Sequence, residues 1–175
     1  ATMMNKGLEV IEAFWLFNVK VNQIDIVVHP ESIIHSMVEF VDGSVKAQLG
    51  VPDMKIPIQY ALTYPSHLNA NWDTLDLTSI GKLNFEKPDF KKFPCIRLAY
   101  ESLQKGGSAP VVLNVANDII VYNFLQGIIA FNDIPFLIED TLNKHQWSTI
   151  PNIETINDIS KWTKNHIQNQ ISTYV

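Results

Sequence analysis

The sequence predicts an α+β protein in which a part with mixed β-sheet and helices comes first and a four-helix-type bundle follows. Three observations support this order. Two runs of alternating polar and apolar residues flank Asp42-Gly43, a dipeptide typical of a hairpin turn. From residue 90 onward the apolar residues recur at helical spacing, whereas residues 66–89 show no regular period. We therefore expect three segments, with bounds 1–65, 66–89 and 90–175.

The first segment contains helices and strands in alternation. The predicted elements are a helix over 3–17, a strand over 24–28, a hairpin over 36–41 and 44–50, and a helix over 57–64. The strand is predicted because its residues are β-branched and apolar and it stops at His29-Pro30. Pro57 suits the first turn of the second helix, and Pro65 ends that helix. The connecting segment 66–89 is predicted to be a linker.

The last segment is predicted to be entirely helical. Its four helices are expected over 94–105, 108–126, 133–144 and roughly 155–172. Gly106-Gly107 and Gly127 stand directly behind the first two, where glycine ends a helix most readily. Four helices with short connections indicate a small bundle.

Composition excludes several classes of protein. The 175 residues are 46% hydrophobic and 18% charged with a formal net charge of -5, which is ordinary for a globular chain and argues against nucleic-acid binding. No apolar run approaches the ~20 residues that cross a bilayer, and no secretory signal opens the chain, so we expect a cytoplasmic protein without a membrane partner. The single cysteine, Cys95, excludes an intrachain disulfide and fits a buried core position better than a reactive thiol.

The first helix carries the strongest candidate for chemistry. Asn5 and Glu9 are four residues apart and Lys6 and Glu9 three apart, so all three side chains share one helix edge. Asn5 and Lys6 near a helix N-terminus suit an anion, and the Glu9 carboxylate suits Mg²⁺ or Mn²⁺. The alternative is a surface ion pair worth ~0.3–0.5 kcal/mol. A lone glutamate does not hold a metal by itself, and both interpretations stay open at this point.

A second candidate lies around two histidines. His29 and His35 are six residues apart, which fits no standard zinc motif, and both a turn or core role and a catalytic role remain open. Ser32 between them has no nucleophile-elbow frame. No GxGxxG occurs in the chain, so the dinucleotide-binding fingerprint is absent from the sequence.

Several sequence motifs, in the same order along the chain, resemble those of the 1-deoxy-D-xylulose 5-phosphate reductoisomerase family. They are ATMMNKGLEVIEA at 1–13, HPESIIHSMVEF at 29–40, DGSV at 42–45, QLG at 48–50, PDM at 52–54, FPC at 93–95 and LNVAN at 113–117. The resemblance implies an enzyme that rearranges 1-deoxy-D-xylulose 5-phosphate and reduces the product with NADPH to 2-C-methyl-D-erythritol 4-phosphate. It also implies a divalent metal, Mg²⁺ or Mn²⁺ with Co²⁺ as a further candidate, and a homodimer through the catalytic domain, with the hairpin at Asp42-Gly43 as a candidate interface edge.

The resemblance also assigns roles to individual residues. Glu9 matches a metal ligand that contacts substrate, and Asn5 and Lys6 match residues that hold substrate hydroxyl and phosphate groups. His35 matches a supporting active-site histidine, so that Glu9, Lys6 and His35 form the expected catalytic set. The residues that match the wall beside the nicotinamide, and hence the cofactor site, are Ser32, Pro52 and Met54.

The resemblance covers only part of the family's enzymes. The nucleotide-binding domain and the Asp-Ser-Glu stretch that supplies further metal ligands have no counterpart in the sequence, which begins with Ala1 rather than Met. We therefore expect a fragment of a longer enzyme, with a partial catalytic domain, a connecting segment and the C-terminal bundle, and we expect the isolated fragment to be inactive. The alternative is a non-catalytic binding or assembly module derived from the same family.

Overall fold

A computed structural model describes residues 2–149 and 152–172, and the chain divides into two compact units. One unit, called here the helical unit, contains residues 1–26 and 88–175, and the other, the hairpin unit, contains residues 27–87. In chain order the elements are α1 (Met4–Phe17), a 3-10 turn (Val21–Gln23), β1 (Ile34–Glu39), β2 (Val45–Leu49), α2 (Lys55–Thr63), α3 (Leu77–Ile80), α4 (Pro94–Lys105), α5 (Ala109–Leu125), α6 (Asp133–Lys144) and α7 (Ile153–Ile171). The predicted combination of helices with a small sheet is confirmed.

The helical unit is built around α5. This helix is apolar on most of its surface, and it packs against α4, α6 and α7, while α1 packs against α4. The completely buried side chains at the centre come from these helices and include Val112, Leu113, Ile120, Ile138 and Ile167. The four predicted bundle helices are therefore all present, each with bounds within two residues of the expected ones.

Gly107 occupies a position that only glycine fits. Its φ is +54°, and an added Cβ would lie 2.1 Å from the carbonyl oxygen of Ser148. Ser108 follows, completely buried, and its N–H donates to that same Ser148 oxygen at 3.0 Å. The glycine pair behind α4 therefore ends the helix as predicted. Gly107 also lets residues 145–149 lie close to its own backbone.

The hairpin unit contains the sheet of the described residues, two antiparallel strands. Met37 pairs with Ala47 and Glu39 with Val45, and Gly43 in the turn has a φ of +81°. The Asp42 carboxylate accepts the backbone N–H of Ser44 at 2.9 Å, which stabilises the turn and lowers the pKa of Asp42, the Ser44 hydroxyl being the larger cause. The predicted hairpin is confirmed.

The predicted strand over 24–28 is wrong. Residues Val21–Gln23 form a 3-10 turn, and in the extended segment that follows only Val28 pairs, in an isolated bridge with Glu86. A β-branched composition favours extended backbone, but a strand needs a partner along its length, and here the bridge is a single residue pair.

The predicted linker over 66–89 contains one short helix that was not predicted. The Asp76 carboxylate accepts the N–H groups of Thr78 and Ser79 and so caps α3. The hydroxyls of the same two residues also donate to Asp76, and these hydrogen bonds lower its pKa to about 2. An Asp followed by hydroxyl residues two and three positions later is the local signal for this turn.

The compact units group the chain differently from the three predicted segments. Helix α1, expected with the first segment, lies in the helical unit because its apolar face packs on α4. The bounds 1–65, 66–89 and 90–175 stay a prediction. Among the helices of the described residues, none is both long and apolar enough to cross a membrane.

Candidate functional site

Three polar side chains meet on the first turns of α1. Asn5 Nδ2 donates to Glu9 Oε1 at 3.0 Å, and Lys6 Nζ forms an ion pair with Glu9 Oε2. The Lys6 and Glu9 side chains are 42% and 44% exposed, so the cluster is open to solvent. The helical spacing therefore brings these residues together as predicted, and their roles in binding stay predictions.

The opposite face of α1 fixes where this cluster lies. Met4 and Val10 are each only 2% exposed, and Gly7 between them is buried. A Cβ on Gly7 would lie 2.6 Å from the Cβ of Ala99 in α4, closer than any side-chain contact allows. Gly7 therefore permits the close approach of α1 and α4, which turns Asn5, Lys6 and Glu9 away from the core.

The chemistry of the cluster fits part of a metal site. A carboxylate oxygen is the ligand type that Mg²⁺ and Mn²⁺ prefer, and Glu9 is half-exposed. Within residues 2–149 and 152–172, however, no three side chains of His, Cys, Asp or Glu are grouped closely enough to hold an ion. Glu9 is thus one candidate ligand, and the described residues do not complete the coordination shell.

The second group of predicted site residues lies in the hairpin unit. Ser32 ends a turn in which its N–H donates to the His29 carbonyl oxygen at 3.1 Å, and its φ is +53°. This left-handed conformation is uncommon for a residue with a side chain and costs ~1–2 kcal/mol. A non-glycine residue in such a conformation points to a local constraint.

His35 lies at an irregularity of the sheet. Ile34 pairs with Leu49 and Ser36 with Gln48, so His35 is the extra residue of a β-bulge on β1. A Cβ on Gly50 would be 3.6 Å from His35 Nε2, which places the imidazole against the end of β2. Bulges are frequent beside active sites because they redirect one side chain. The exposed ring of His35 is therefore available to a ligand.

Pro52 and Met54 lie in the turn that leads into α2. Asp53 between them accepts the backbone N–H of Lys55 at 2.9 Å, and this hydrogen bond lowers the pKa of Asp53. The capped turn leaves Met54 70% exposed and Pro52 exposed as well. Two exposed apolar side chains on a fixed turn can form the wall of a binding site for a flat ring.

The hairpin unit contains one polar cluster that was not predicted from the sequence. The Glu31 carboxylate binds both the backbone N–H and the side-chain amide of Asn84, and His29 Nδ1 lies 2.7 Å from the Asn84 carbonyl oxygen. His29 and Glu31 are two residues apart in sequence, but Asn84 is more than 50 residues away from both. No local pattern could have predicted that contact.

Comparisons with known proteins agree on one family. Residues 49–166 match the family model for the DXP reductoisomerase C-terminal domain. The chain is 58% identical to the 1-deoxy-D-xylulose 5-phosphate reductoisomerase of Chloroherpeton thalassium, over 95% of this chain and 43% of that protein. The corresponding protein of Acetivibrio thermocellus is 52% identical over 96% of this chain and 44% of its own length.

Solved structures give the same result. The 1-deoxy-D-xylulose 5-phosphate reductoisomerase from Zymomonas mobilis, in complex with NADPH, has a TM-score of 0.92 and 43% identity, covering 98% of this chain and 45% of that one. A DOX-P reductoisomerase in complex with NADPH, fosmidomycin and magnesium has a TM-score of 0.92 and 41% identity, over 98% of this chain and 44% of that one.

These matches define a reductoisomerase module of helices and a small sheet. The chain belongs to the 1-deoxy-D-xylulose 5-phosphate reductoisomerase family. It spans less than half the length of these relatives, 43% and 44% of the two curated proteins above.

Proposed function

We propose that this chain is part of an NADPH- and divalent-metal-dependent enzyme that converts 1-deoxy-D-xylulose 5-phosphate to 2-C-methyl-D-erythritol 4-phosphate, an early step of non-mevalonate isoprenoid biosynthesis. The observation that carries the proposal is the cluster of Asn5, Lys6 and Glu9 on α1, within a segment that resembles the family word by word. The relatives and neighbours above carry the names of this activity, and one solved neighbour holds NADPH, fosmidomycin and magnesium.

The proposed roles follow from the side-chain chemistry. Glu9 supplies one carboxylate ligand to the cation, Mg²⁺ or Mn²⁺, with Co²⁺ as a further candidate. The bound cation would polarise the substrate's carbonyl oxygen as a Lewis acid. Lys6 and Asn5, which donate to Glu9, would turn their donors toward the substrate's phosphate and hydroxyl oxygens.

The hairpin unit would serve the cofactor. Ser32, Pro52 and Met54 are proposed to form the wall against the nicotinamide ring, since all three are exposed on constrained turns. His35 is proposed as a supporting catalytic residue, because its exposed ring lies at the bulge, a feature that is frequent beside active sites. When bound against this wall, NADPH would supply the hydride that reduces the aldehyde carbon of the rearranged substrate, and solvent would supply the proton to its oxygen.

The decisive test is Glu9→Gln in a full-length enzyme that contains this chain. NADPH oxidation that depends on 1-deoxy-D-xylulose 5-phosphate and Mn²⁺ should fall at least ~100-fold, because a neutral amide is a poor metal ligand. Glu12→Gln is the matched control, since Glu12 is an exposed carboxylate on the same helix, and it should keep parental activity. Near-parental activity of Glu9→Gln would disprove the ligand assignment.

The same assay distinguishes the proposed enzyme from the alternative, a non-catalytic module. A full-length protein that folds but shows no such NADPH oxidation would favour the non-catalytic binding or assembly module. The 175-residue chain assayed alone should be inactive, because its described residues do not supply a complete set of metal ligands. Activity of the isolated chain would contradict this expectation.

We also propose a homodimer formed through the catalytic domain, with the hairpin at Asp42–Gly43 as an interface edge. Support comes from the apolar side chains that β1 and β2 expose, among them Val38 at 57% and Val45 at 54%. Sedimentation of the full-length protein tests this, and a monomer at micromolar concentration would refute it. The cytoplasmic location stays a prediction.

A further inference from the structure

Glu31 is the centre of a polar cluster to which the proposed chemistry assigns no role. Its Oε2 accepts the Asn84 backbone N–H at 3.1 Å and lies 3.0 Å from His29 Nδ1, and its Oε1 accepts the Asn84 side-chain amide. These interactions lower the pKa of Glu31, with the Asn84 side-chain amide as the largest cause. Glu31 is therefore an ionised carboxylate that binds donors from two segments, the turn 29–32 and the segment around Asn84.

The His29 ring is oriented by contacts at Nδ1 and by stacking on one face. Its side chain is only 7% exposed and stacks on Phe85 with ring centroids 4.9 Å apart. Both neighbours of Nδ1 are acceptors, the Asn84 carbonyl and the Glu31 carboxylate, so Nδ1 carries a hydrogen and donates. Nε2 is buried and has no hydrogen-bond partner within the described part of the chain. The Nδ1 contacts and the stacking against Phe85 therefore fix the ring.

The constraint reaches Ser32 directly along the backbone. Ser32 has the left-handed φ of +53° noted above, and Glu31 is the residue before it. Ile33, the residue after it, is buried, and its carbonyl oxygen accepts the Gly50 N–H at 3.0 Å. Ser32 is thus held between two fixed points, and a strained conformation persists only where its surroundings enforce it.

We infer that Glu31 is a positioning residue for the cofactor site, whose carboxylate ties the turn 29–32 to Asn84 and so holds Ser32 in its left-handed conformation. This inference rests on the proposed function, because it gives Ser32 the role of nicotinamide wall. In this inference Glu31 acts through the backbone of its neighbour Ser32.

The fold around this cluster does not depend on the carboxylate alone. Val28 and Glu86 exchange two backbone hydrogen bonds of 2.9 Å, which connect the same two segments. Removing the Glu31 side chain should therefore leave the segments paired and release only the end of the turn. This separation of local order from overall stability makes the inference testable.

The test measures kcat and both KM values in the full-length enzyme. For Glu31→Ala we expect KM for NADPH to rise ~10-fold, while KM for 1-deoxy-D-xylulose 5-phosphate stays within ~2-fold, because a loosened wall affects the cofactor first. Glu31→Gln should restore part of the loss, because its amide oxygen still accepts the Asn84 N–H. The control Glu86→Gln should change nothing, since the Glu86 side chain is exposed and its bridge to Val28 uses backbone atoms.

The outcomes separate the two proposals. A wild-type enzyme without substrate-dependent NADPH oxidation refutes the proposed function and the inference with it. An active wild type with unchanged KM for NADPH in Glu31→Ala refutes the inference alone. Equal increases of both KM values with a matching fall in Tm would assign Glu31 a purely structural role and also overturn it. If Glu31→Ala does not fold, the milder Glu31→Gln carries the same comparison.

Discussion

The helical unit and the hairpin unit bury their apolar residues to very different extents. The helical unit contains a continuous core of completely or almost completely buried side chains, to which α1, α4, α5, α6 and α7 all contribute. In the hairpin unit, residues 27–87, the most buried apolar residue is Ile33, at 9% exposure. Its other apolar side chains are partly or largely exposed, as at Val38, Met54 and Leu62.

This difference indicates which interactions hold each unit. Burial of apolar area is the main source of stability in the helical unit. The hairpin unit depends instead on directed hydrogen bonds, those of the β1–β2 ladder and those around Glu31 and Asn84. All the proposed cofactor-site residues, Ser32, Pro52 and Met54, lie on turns of this unit that contain hydrogen bonds.

The largest expected effect is a difference in stability loss between two side-chain truncations, one in each unit. Ile138→Ala removes a completely buried side chain from the helical core and should lower the free energy of unfolding by ~2–5 kcal/mol. Val38→Ala on β1 removes a side chain that is 57% exposed and should cost less than ~1 kcal/mol. Urea unfolding of the 175-residue chain, followed by far-UV circular dichroism, measures both. Equal losses would contradict the contrast between the units.

A second prediction concerns the contact that orients α1. Gly7→Ala would place its Cβ 2.6 Å from that of Ala99, and the resulting strain should cost ~1–3 kcal/mol despite the better helix propensity of alanine. The double variant Gly7→Ala/Ala99→Gly removes the clash. A double-mutant cycle by urea unfolding should give a coupling of at least ~1 kcal/mol. Additive single effects would show that the helices separate without cost.

The smallest expected effect is a pH dependence within the helical unit. His145 Nε2 lies 2.8 Å from the hydroxyl of buried Ser108, and its ring packs beside Trp162. Burial, followed by the nearby positive charge of Lys105, lowers the pKa of His145. The folded state therefore binds this proton less readily than the unfolded state. The stabilising contribution of neutral His145 is present above the unfolded pKa of ~6.5. It is lost as pH falls through the lower pKa that His145 has in the folded state.

Urea unfolding at several pH values between 5 and 7.5 measures this effect. His145→Gln should reduce the slope of unfolding free energy against pH in that window. His67→Gln is the matched control for the loss of a histidine, because His67 is exposed, lies in the hairpin unit and makes neither the Ser108 nor the Trp162 contact of His145. A slope that survives His145→Gln would exclude this histidine as its source.

Local patterns predicted most of the elements and one part of the site. Helical spacing, proline and glycine positions and the Asp42-Gly43 turn are encoded within a few residues, and each corresponding helix or hairpin is present. Asn5, Lys6 and Glu9 meet because positions three and four apart share one side of a helix, whatever the helix packs against. The failed strand over 24–28 shows the limit, since pairing depends on a distant segment.

By itself, then, the sequence determined the helices other than α3, the hairpin, the polar cluster on α1 and the resemblance to one enzyme family. Only the tertiary structure decided that α1 packs on α4 through Gly7, that His35 lies at a bulge, and that Glu31 binds Asn84. The physical reason is the range of the interactions. Helix and turn preferences act between neighbours in the chain, whereas close packing and hydrogen bonds between segments exist only once the folded backbone has brought those segments together.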